Sequence, residues 1–438
     1  MVTAMITLGL ACISTADDRT PTTAAKTIAG PSPAELQANY PRFRGWDGSG
    51  AVAQTNFTLA YDQATGQGLA WKATIPGPGY ASPVVWGNQV FLTGGTFKKK
   101  EVYCYALATG EMLWTRAVPD LSGQPPKDPK SPESTGVAAS TGACDGQRFY
   151  AVFGNGDVAA LNFDGTVAWS KNVGPLKNPY GHATSLAMWR DTLILQLDGG
   201  EAEPEGSKLM ALAGPTGNLL WDTPHPSPIT WATPIVIESS GLPRIITLGQ
   251  PWVIAYSPID GKEYWRAELL DKEIVPSPIF AGGLVIAVSP TVKLLGIRPN
   301  GTGNVTKSIV AWSAEGTAPD ATSPVSDGKL VFTVSGGGLV TCRQVTNGRK
   351  VWEYDLKFPV ESSPSIVGDK LFVLGHKGKS AVLAAGRKYK EISRSQFDDE
   401  FEASPAFADG RVLLRGHTNL YCLGSAPVTA KKPSADVR

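Results

Sequence analysis

One segment of this chain, residues 82–114, recurs in altered form along most of the sequence. It reads SPVVWGNQVFLTGGTFKKKEVYCYALATGEMLW. Short apolar runs alternate with Gly-containing turns, and the segment ends with Thr109-Gly110 followed four residues later by Trp114. Glycine is typical of such turns because it accepts a positive φ. Four short strands in about 40 residues is the repeat length of a β-propeller blade.

Eight copies of the segment align on a Ser or Thr that opens each copy. These opening residues are Ser82, Ser140, Thr184, Thr233, Ser277, Ser323, Ser363 and Ser404. Successive copies begin 40 to 58 residues apart, and the longest interval contains a Pro-rich insert from Pro119 to Gly136. A chain of 438 residues would be expected to form two or three domains on length alone. The repetition predicts a single domain instead.

The two ends of the repeat array complement each other. The eighth copy stops after three strands, whereas a fourth strand with its turn and Trp, residues 63–71, precedes the first copy. We predict that this N-terminal strand completes the last blade, because closing the ring removes free sheet edges. The predicted fold is all-β: one eight-bladed propeller of four-stranded blades over residues 39–426.

A Trp ends almost every copy, and a Gly lies four residues before it in most of them. We predict that each indole packs over the Gly turn of the neighbouring blade and has a structural role. These residues are Trp71, Trp114, Trp169, Trp221, Trp265, Trp312 and Trp352.

Composition and the chain ends restrict the class of protein. Charged residues make up 18% of the chain and the net charge is +1, which excludes an extended basic surface for nucleic acid. No apolar run reaches the roughly 18 residues that a spanning helix needs. Residues 1–16 are predicted to be a signal peptide, with lipid anchoring at Cys12 the less favoured alternative. Residues 17–38 are predicted to be a flexible linker, 427–438 a disordered tail, and the protein a periplasmic or secreted monomer.

The cysteines favour packing over redox chemistry. Cys342 and Cys422 occupy a position that we predict to be a column of small buried residues on the third strands. In the other copies this position is assigned to Ala106, Ala160, Ala211, Ala255 or Gly296. No partner is evident for Cys104 or Cys144, and the sequence has neither Cys-Cys nor Cys-x-x-Cys.

The pattern Ala106-Leu107, Thr109-Gly110 and Trp114 resembles the tryptophan-docking repeat of the quinoprotein dehydrogenase superfamily. Residues 39–50, NYPRFRGWDGSG, resemble the start of exported PQQ-repeat proteins. One branch of the superfamily contains dehydrogenases that use pyrroloquinoline quinone (PQQ) and calcium. Another contains non-catalytic propellers such as the lipoprotein of the outer-membrane barrel-assembly machinery. The dehydrogenases typically stack the quinone against a vicinal disulfide, and this sequence has no adjacent cysteines.

Propeller topology places the fourth-to-first and the second-to-third strand connections on one face, which we call the loop face. Residues two positions before each opening residue are predicted to ring the channel on this face. The predicted ring is Tyr80, Ala138, His182, Trp231, Val275, Ala321, Glu361 and Glu402. All four histidines, including His225, are predicted to lie on the same face.

Blades seven and eight concentrate the chemistry-bearing residues. His376 and His417 fall at matching second-to-third loops of these blades, near Glu361 and Glu402. With His182, they form a predicted set of N and O ligands for a metal ion. Glu361 and Glu402 alternatively form a catalytic acid/base pair. A solvated or protein-binding face is the simpler interpretation.

Trp231 at the channel mouth is either part of the core or, with His182, a platform for a bound cofactor. Two hypotheses of function follow. The first is an exported, non-catalytic binding or scaffold module that presents the loop face, including the Pro-rich insert, to a protein partner. The alternative is a PQQ- and calcium-dependent dehydrogenase of alcohols or sugars, with Glu361 or Glu402 holding the cation and Trp231 stacking on the quinone.

Overall fold

The computed structural model describes residues 30–123, 135–174, 178, 181–200, 206–316 and 318–425. These residues form eight β-sheets arranged as the blades of a propeller, which confirms the predicted fold. No helix among them is long and apolar enough to cross a membrane. The predicted signal peptide, residues 17–29 of the predicted linker, most of the Pro-rich insert and the predicted C-terminal tail lie outside the described residues.

The described chain has one short helix, α1 (Pro33–Ala38), within the segment predicted to be a linker. In chain order the strands are β1 (Ala51–Val52), β2 (Leu69–Thr74), β3 (Val84–Trp86), β4 (Gln89–Thr96), β5 (Lys99–Ala106), β6 (Met112–Val118), β7 (Ala143–Cys144), β8 (Arg148–Val152), β9 (Asp157–Asn162), β10 (Val167–Asn172), β11 (Ala187–Trp189), β12 (Thr192–Leu197), β13 (Lys208–Ala213), β14 (Leu219–Pro224), β15 (Ile235–Ser239), β16 (Leu242–Gly249), β17 (Trp252–Tyr256), β18 (Glu263–Glu268), β19 (Ile279–Ala281), β20 (Leu284–Ser289), β21 (Lys293–Ile297), β22 (Gly303–Asn304), β23 (Val310–Glu315), β24 (Val325–Ser326), β25 (Leu330–Val334), β26 (Leu339–Gln344), β27 (Lys350–Asp355), β28 (Ser365–Val367), β29 (Lys370–Leu374), β30 (Lys379–Ala384), β31 (Glu391–Gln396), β32 (Ala406–Ala408), β33 (Arg411–Arg415) and β34 (Asn419–Leu423).

Each blade has four antiparallel strands with the first innermost. Two short strands add parallel pairs, β1 beside β28 and β22 beside β18. Blades one to three are β3–β6, β7–β10 and β11–β14, blade four is β15–β18, and blade five is β19–β21 with β23. Blades six and seven are β24–β27 and β28–β31. The second and third strands are buried on both faces, whereas the fourth strands are largely exposed. The core therefore consists of apolar seams between neighbouring blades.

The N-terminal strand closes the ring as predicted. β2 pairs antiparallel with β34, so that Trp71 lies opposite Cys422 and Thr74 opposite Asn419. Blade eight is therefore β32–β34 from the end of the array and β2 from its beginning. This pairing covers the edge of β34, which would otherwise be the unpaired outer strand of a three-stranded blade.

The tryptophans join neighbouring blades. The indole N–H of each donates a hydrogen bond of 2.7–3.3 Å to a main-chain carbonyl of the next blade. The Gly turn lies directly against the ring: a Cβ at Gly110 would be 2.5 Å from Trp71, and one at Gly217 would be 2.7 Å from Trp169. Glycine is therefore required here by the close approach of the indole as well as by a positive φ.

The seam between blades seven and eight has no such Trp. Ser393, beside Ile392, lies opposite Val382 at the position that Trp occupies elsewhere. The chain before β2 fills this seam instead. Phe57 packs edge-on against Phe407 with ring centroids 5.6 Å apart, and Tyr61 stacks on Phe397.

The predicted column of small residues is correct in the six blades two to six and eight, and wrong in blade one. Cys342 and Cys422 lie opposite Trp352 and Trp71 across the third and fourth strands. In blade one the residue opposite Trp114 is Cys104. The predicted member, Ala106, is two residues further along, at the end of β5 beside the turn, where it pairs with Gln89.

Candidate functional site

The inner strands begin with a closed ring of hydroxyl groups. The backbone N–H of one ring residue donates to the side-chain hydroxyl of the next, at 2.8–3.1 Å, through all eight blades and back to the first. The members are Ser82, Thr141, Ser185, Thr233, Ser277, Ser323, Ser363 and Ser404. This hydrogen-bond ring fixes the register of each blade about the channel.

The ring corrects two of the predicted opening residues. Thr141 and Ser185 replace Ser140 and Thr184, so the channel positions counted back from these two residues move by one residue. Ala139 and Ala183 therefore line the channel in place of Ala138 and His182. The other six predicted members of the channel ring do line it.

Above the hydroxyl ring lies a cavity of about 520 Å³ on the loop face. Its walls include the side chains of Trp231, Val275, Glu361 and Glu402. Tyr80, 36% exposed, stands at the rim. The cavity thus combines aromatic surface, carboxylates and a ring of hydroxyls, a composition suited to ligand binding.

The opposite end of the channel is crossed by residues 39–52, which we call the crossing segment. Phe43 of this segment lines the cavity. The Arg44 guanidinium donates to the carbonyl oxygens of Pro324 at 2.6 Å and Pro364 at 3.3 Å. Main-chain hydrogen bonds also join the segment to Val85, Cys144 and Ile366 of inner strands. Because these contacts reach blades one, two, six and seven, the segment forms the floor of the cavity.

Four residues from blades seven and eight meet at the mouth of the cavity. His417 Nε2 lies 2.6 Å from Glu402 Oε2, and His376 Nδ1 lies 3.2 Å from Glu402 Oε1 and 3.7 Å from Glu361 Oε1. The structure therefore brings together the predicted residues His376, His417, Glu361 and Glu402. We call them the mouth cluster.

Two residues that sequence reasoning did not select complete this region. Glu400 lies 3.7 Å from His376 Nε2 and 3.9 Å from His417 Nδ1, and it forms an ion pair with Lys377. Arg415 is fully buried near Tyr80, and its guanidinium donates to the carbonyls of Ala81 and Thr93. A charged residue ending the apolar run Val412-Leu413-Leu414 was the available signal for Arg415.

Main-chain hydrogen bonds hold the loops of the mouth cluster. Phe401 N–H donates to the His376 carbonyl at 2.9 Å, and His376 N–H donates to the Pro359 carbonyl at 2.9 Å. The Asp399 carboxylate accepts from the N–H groups of His417 and Asn419 at 3.0 and 3.1 Å. Burial acts to raise the pKa of Asp399, but hydrogen bonds from Thr418 and Asn419 outweigh it and lower the pKa. A charged Asp399 thus fixes the two histidine loops relative to each other.

Electrostatics at the mouth reflect burial and crowding of carboxylates. Burial raises the pKa of Glu402, while the nearby His417 and His376 act in the opposite direction. Burial, together with the nearby Glu402 carboxylate, also raises the pKa of Tyr80. A positive ligand would relieve both effects.

The other two histidines do not belong to this site. His182 is buried, and burial lowers its pKa to about 4. His225 is buried between blades three and four, where its ring nitrogens lie 3.1 Å from the Tyr256 hydroxyl and 3.2 Å from Gln196 Nε2. Its pKa is also lowered to about 4 by burial. Both residues lie in fourth-to-first connections, as predicted, but they are buried and take no part in the mouth cluster.

Comparison with known proteins agrees with this architecture. Residues 47–179 and 205–389 match the family described as outer membrane protein assembly factor BamB. The chain belongs to this BamB family. Among curated protein sequences, no relative matches it.

Solved structures similar to this member of the BamB family come from both functional branches. BamB from Moraxella catarrhalis is 14% identical, with a TM-score of 0.58 over 81% of this chain and 99% of that one. The quinohemoprotein alcohol dehydrogenase from Comamonas testosteroni is 12% identical, with a TM-score of 0.64 over 90% of this chain and 82% of that one. At these identities the likeness establishes the fold alone.

Among the described residues, the lining of the cavity of this BamB-family chain has no Lys, Arg or His to pair with pyrroloquinoline quinone. That cofactor carries three carboxylates, which need cationic or donor partners. The walls present Glu361 and Glu402, whereas the buried guanidinium groups of Arg44 and Arg415 donate to main-chain carbonyls. The four cysteines of the described residues are free and buried, and none is adjacent to another.

Proposed function

We propose that this protein is an exported, non-catalytic binding module that holds a partner protein through its loop face. One observation carries the proposal: the central channel is floored by the crossing segment and opens on the loop face as a cavity rimmed by aromatic and carboxylate side chains. A blind cavity of this kind suits the capture of a protruding group. Membership of the BamB family supports the same conclusion.

The chemistry of the rim favours a partner segment that carries Lys or Arg. Glu361 and Glu402 supply negative charge at the mouth, and Tyr80 and Trp231 supply aromatic surface beside it. Aromatic surface binds the aliphatic and cationic parts of such side chains, and opposite charge steers their approach. We expect the partner to insert one basic side chain into the cavity.

Site-specific photo-crosslinking in the native host tests this proposal. A photoreactive residue in place of Tyr80 is expected to capture one discrete partner, and replacing both Glu361 and Glu402 by Gln is expected to reduce the yield several-fold. The matched control is Ile259, 66% exposed on a third-to-fourth strand turn of the opposite face. Equal capture from both positions, or none from Tyr80 in a folded protein, would contradict the proposal.

The dehydrogenase alternative has a direct test. Calorimetric titration of the full chain with PQQ, with and without excess calcium, is expected to give no saturable heat. One-to-one binding that requires calcium and is weakened by Trp231→Ala would replace the binding module with a quinone-dependent enzyme.

A further inference from the structure

We propose that Glu361, His376, Glu402 and His417 bind a divalent transition-metal ion at the mouth of the central cavity. The proposal goes beyond partner binding but uses the same two carboxylates, Glu361 and Glu402, so the ion and a basic side chain of the partner would compete for them. Titration of the protein with metal alone tests the metal site by itself. It rests on the geometry of the mouth cluster, the charge gathered there and the support behind its imidazoles.

The candidate ligand atoms of the mouth cluster already lie close to one another. One ligand atom each from Glu361, His376 and Glu402 lies within 4.8 Å of the other two. A tetrahedral zinc ion with bonds of 2.0–2.2 Å needs ligand atoms roughly 3.4 Å apart. Side-chain movements of about 1 Å are therefore sufficient to close three ligands on a shared ion.

His417 supplies the fourth ligand. Its Nε2 lies 2.6 Å from Glu402 Oε2, and its ring centroid lies 6.4 Å from that of His376. An ion placed between the two histidines would exchange the His417–Glu402 hydrogen bond for two metal bonds. Two imidazoles with two carboxylates are ligands of intermediate softness, which favour zinc and its neighbours over calcium or magnesium.

The hydrogen bonding and the net charge of the mouth cluster also indicate a cation. His376 Nδ1 is buried without a hydrogen bond among the described residues, since the nearby Glu402 oxygen at 3.2 Å does not have hydrogen-bond geometry. Metal binding requires ionised carboxylates and neutral imidazoles, and in that state the four side chains would carry a net charge of −2 in a partly buried site. A divalent ion would neutralise this charge and satisfy Nδ1 together.

Glu400 lies where a carboxylate could orient the two imidazoles without binding the metal itself. It lies nearest to His376 Nε2 and His417 Nδ1, the ring nitrogens that face away from Glu402. Carboxylates in this position orient metal-bound imidazoles and raise their basicity. Lys377 holds Glu400 in place, and the Asp399 hydrogen bonds fix the loops beneath it.

Calorimetry with zinc chloride tests the site on chelator-treated full chain. We expect saturable one-to-one binding, weakened more than about 100-fold by His376→Ala or Glu402→Gln. Glu400→Gln is expected to weaken binding by roughly 10-fold without changing the stoichiometry. The matched control, Glu273→Gln, removes an exposed carboxylate from a fourth-to-first connection elsewhere on the loop face and is expected to leave the affinity unchanged.

Cobalt provides a second readout. Co²⁺ bound by two imidazoles and two carboxylates in tetrahedral geometry is expected to give visible d–d absorption, which zinc then abolishes by displacement. Absence of saturable zinc binding by a chain with native circular dichroism would overturn the proposal. Equal zinc affinity in the parent, His376→Ala and Glu402→Gln would overturn it as well.

Discussion

The docking of each Trp on its neighbour's Gly turn can be measured with two alanine substitutions. Gly217 and Gly66 occur at corresponding turns before a fourth strand, with φ of +70° and +75°. At Gly217 an added Cβ would lie 2.7 Å from Trp169, whereas at Gly66 nothing lies within 4 Å. The difference arises because Gly66 faces blade seven, the blade that has Ser393 in place of a Trp.

The two substitutions share one cost and differ in a second. An L-residue at positive φ costs about 1–2 kcal/mol relative to Gly, and both variants incur this. Gly217→Ala must also displace the Trp169 ring, and this overpacking of the seam between the blades costs about 1–3 kcal/mol. Movement of the ring additionally weakens the 2.7 Å hydrogen bond from the indole N–H to the Gly214 carbonyl. We therefore expect losses of about 1–2 kcal/mol for Gly66→Ala and about 2–5 kcal/mol for Gly217→Ala.

Equilibrium unfolding in urea, followed by far-ultraviolet circular dichroism, gives both free energies of unfolding. The slope with urea concentration should be unchanged, since the surface exposed on unfolding is the same. A difference of less than about 0.5 kcal/mol between the two variants would refute the docking explanation. The glycines would then be required for backbone conformation alone.

Three further predictions follow from the same structure. Trp71→Ala should lower the free energy of unfolding by about 3–5 kcal/mol because it removes the ring-closing indole and its hydrogen bond to the Leu107 carbonyl. Urea unfolding measures this loss, with Trp46→Ala, at a partly exposed position, as the control. An equal loss in both variants would contradict the prediction. Burial lowers the pKa values of His182 and His225 to about 4, so between about pH 6.5 and 4 they take up protons mainly on unfolding, and their effect is to lower the free energy of unfolding as the pH falls. Burial raises the pKa of Asp198 to about 7, and its effect between about pH 7 and 3.8 is the opposite. Asp198→Asn should therefore lose stability more steeply than the parent from pH 7 to 4.5, and an unchanged or shallower slope in urea titrations would contradict the assignment. Burial raises the pKa values of Cys104 and Cys342 to about 12 and that of Cys422 to about 11, and it also raises the pKa of Cys144. These four thiols should therefore react with a disulfide reagent at pH 8 only after denaturation. Rapid reaction of these four in the folded protein would show that they are accessible.

Most of the architecture was predictable because it is encoded locally and repeated. The turn chemistry of Thr109-Gly110 and the Trp that follows define a blade within about 40 residues. The orphan strand ending at Trp71 implied ring closure, since a three-stranded last blade would leave an unpaired edge. The mouth cluster was also predictable in outline, because topology alone brings equivalent loops of adjacent blades together.

Two opening residues were assigned wrongly because the sequence offers two chemically equivalent choices at each. Ser140 and Thr141, or Thr184 and Ser185, are adjacent hydroxyl residues, and local pattern does not distinguish them. The ring of hydrogen bonds selects Thr141 and Ser185, because only these hydroxyls meet the N–H groups of the preceding blade. This one-residue shift moves His182 from the predicted channel wall into the interior.

The sequence by itself determined the repeat, the number of blades, the closure and the side of the propeller on which His376, His417, Glu361 and Glu402 lie. Only the tertiary structure decided which residues face the channel and what closes its far end. Arg44 reaches carbonyl groups 280 and 320 residues further along the chain, a partnership that no local pattern specifies. Burial of His225 and Arg415 was likewise decided by neighbouring blades, because exposure in a ring of sheets depends on residues from adjacent repeats.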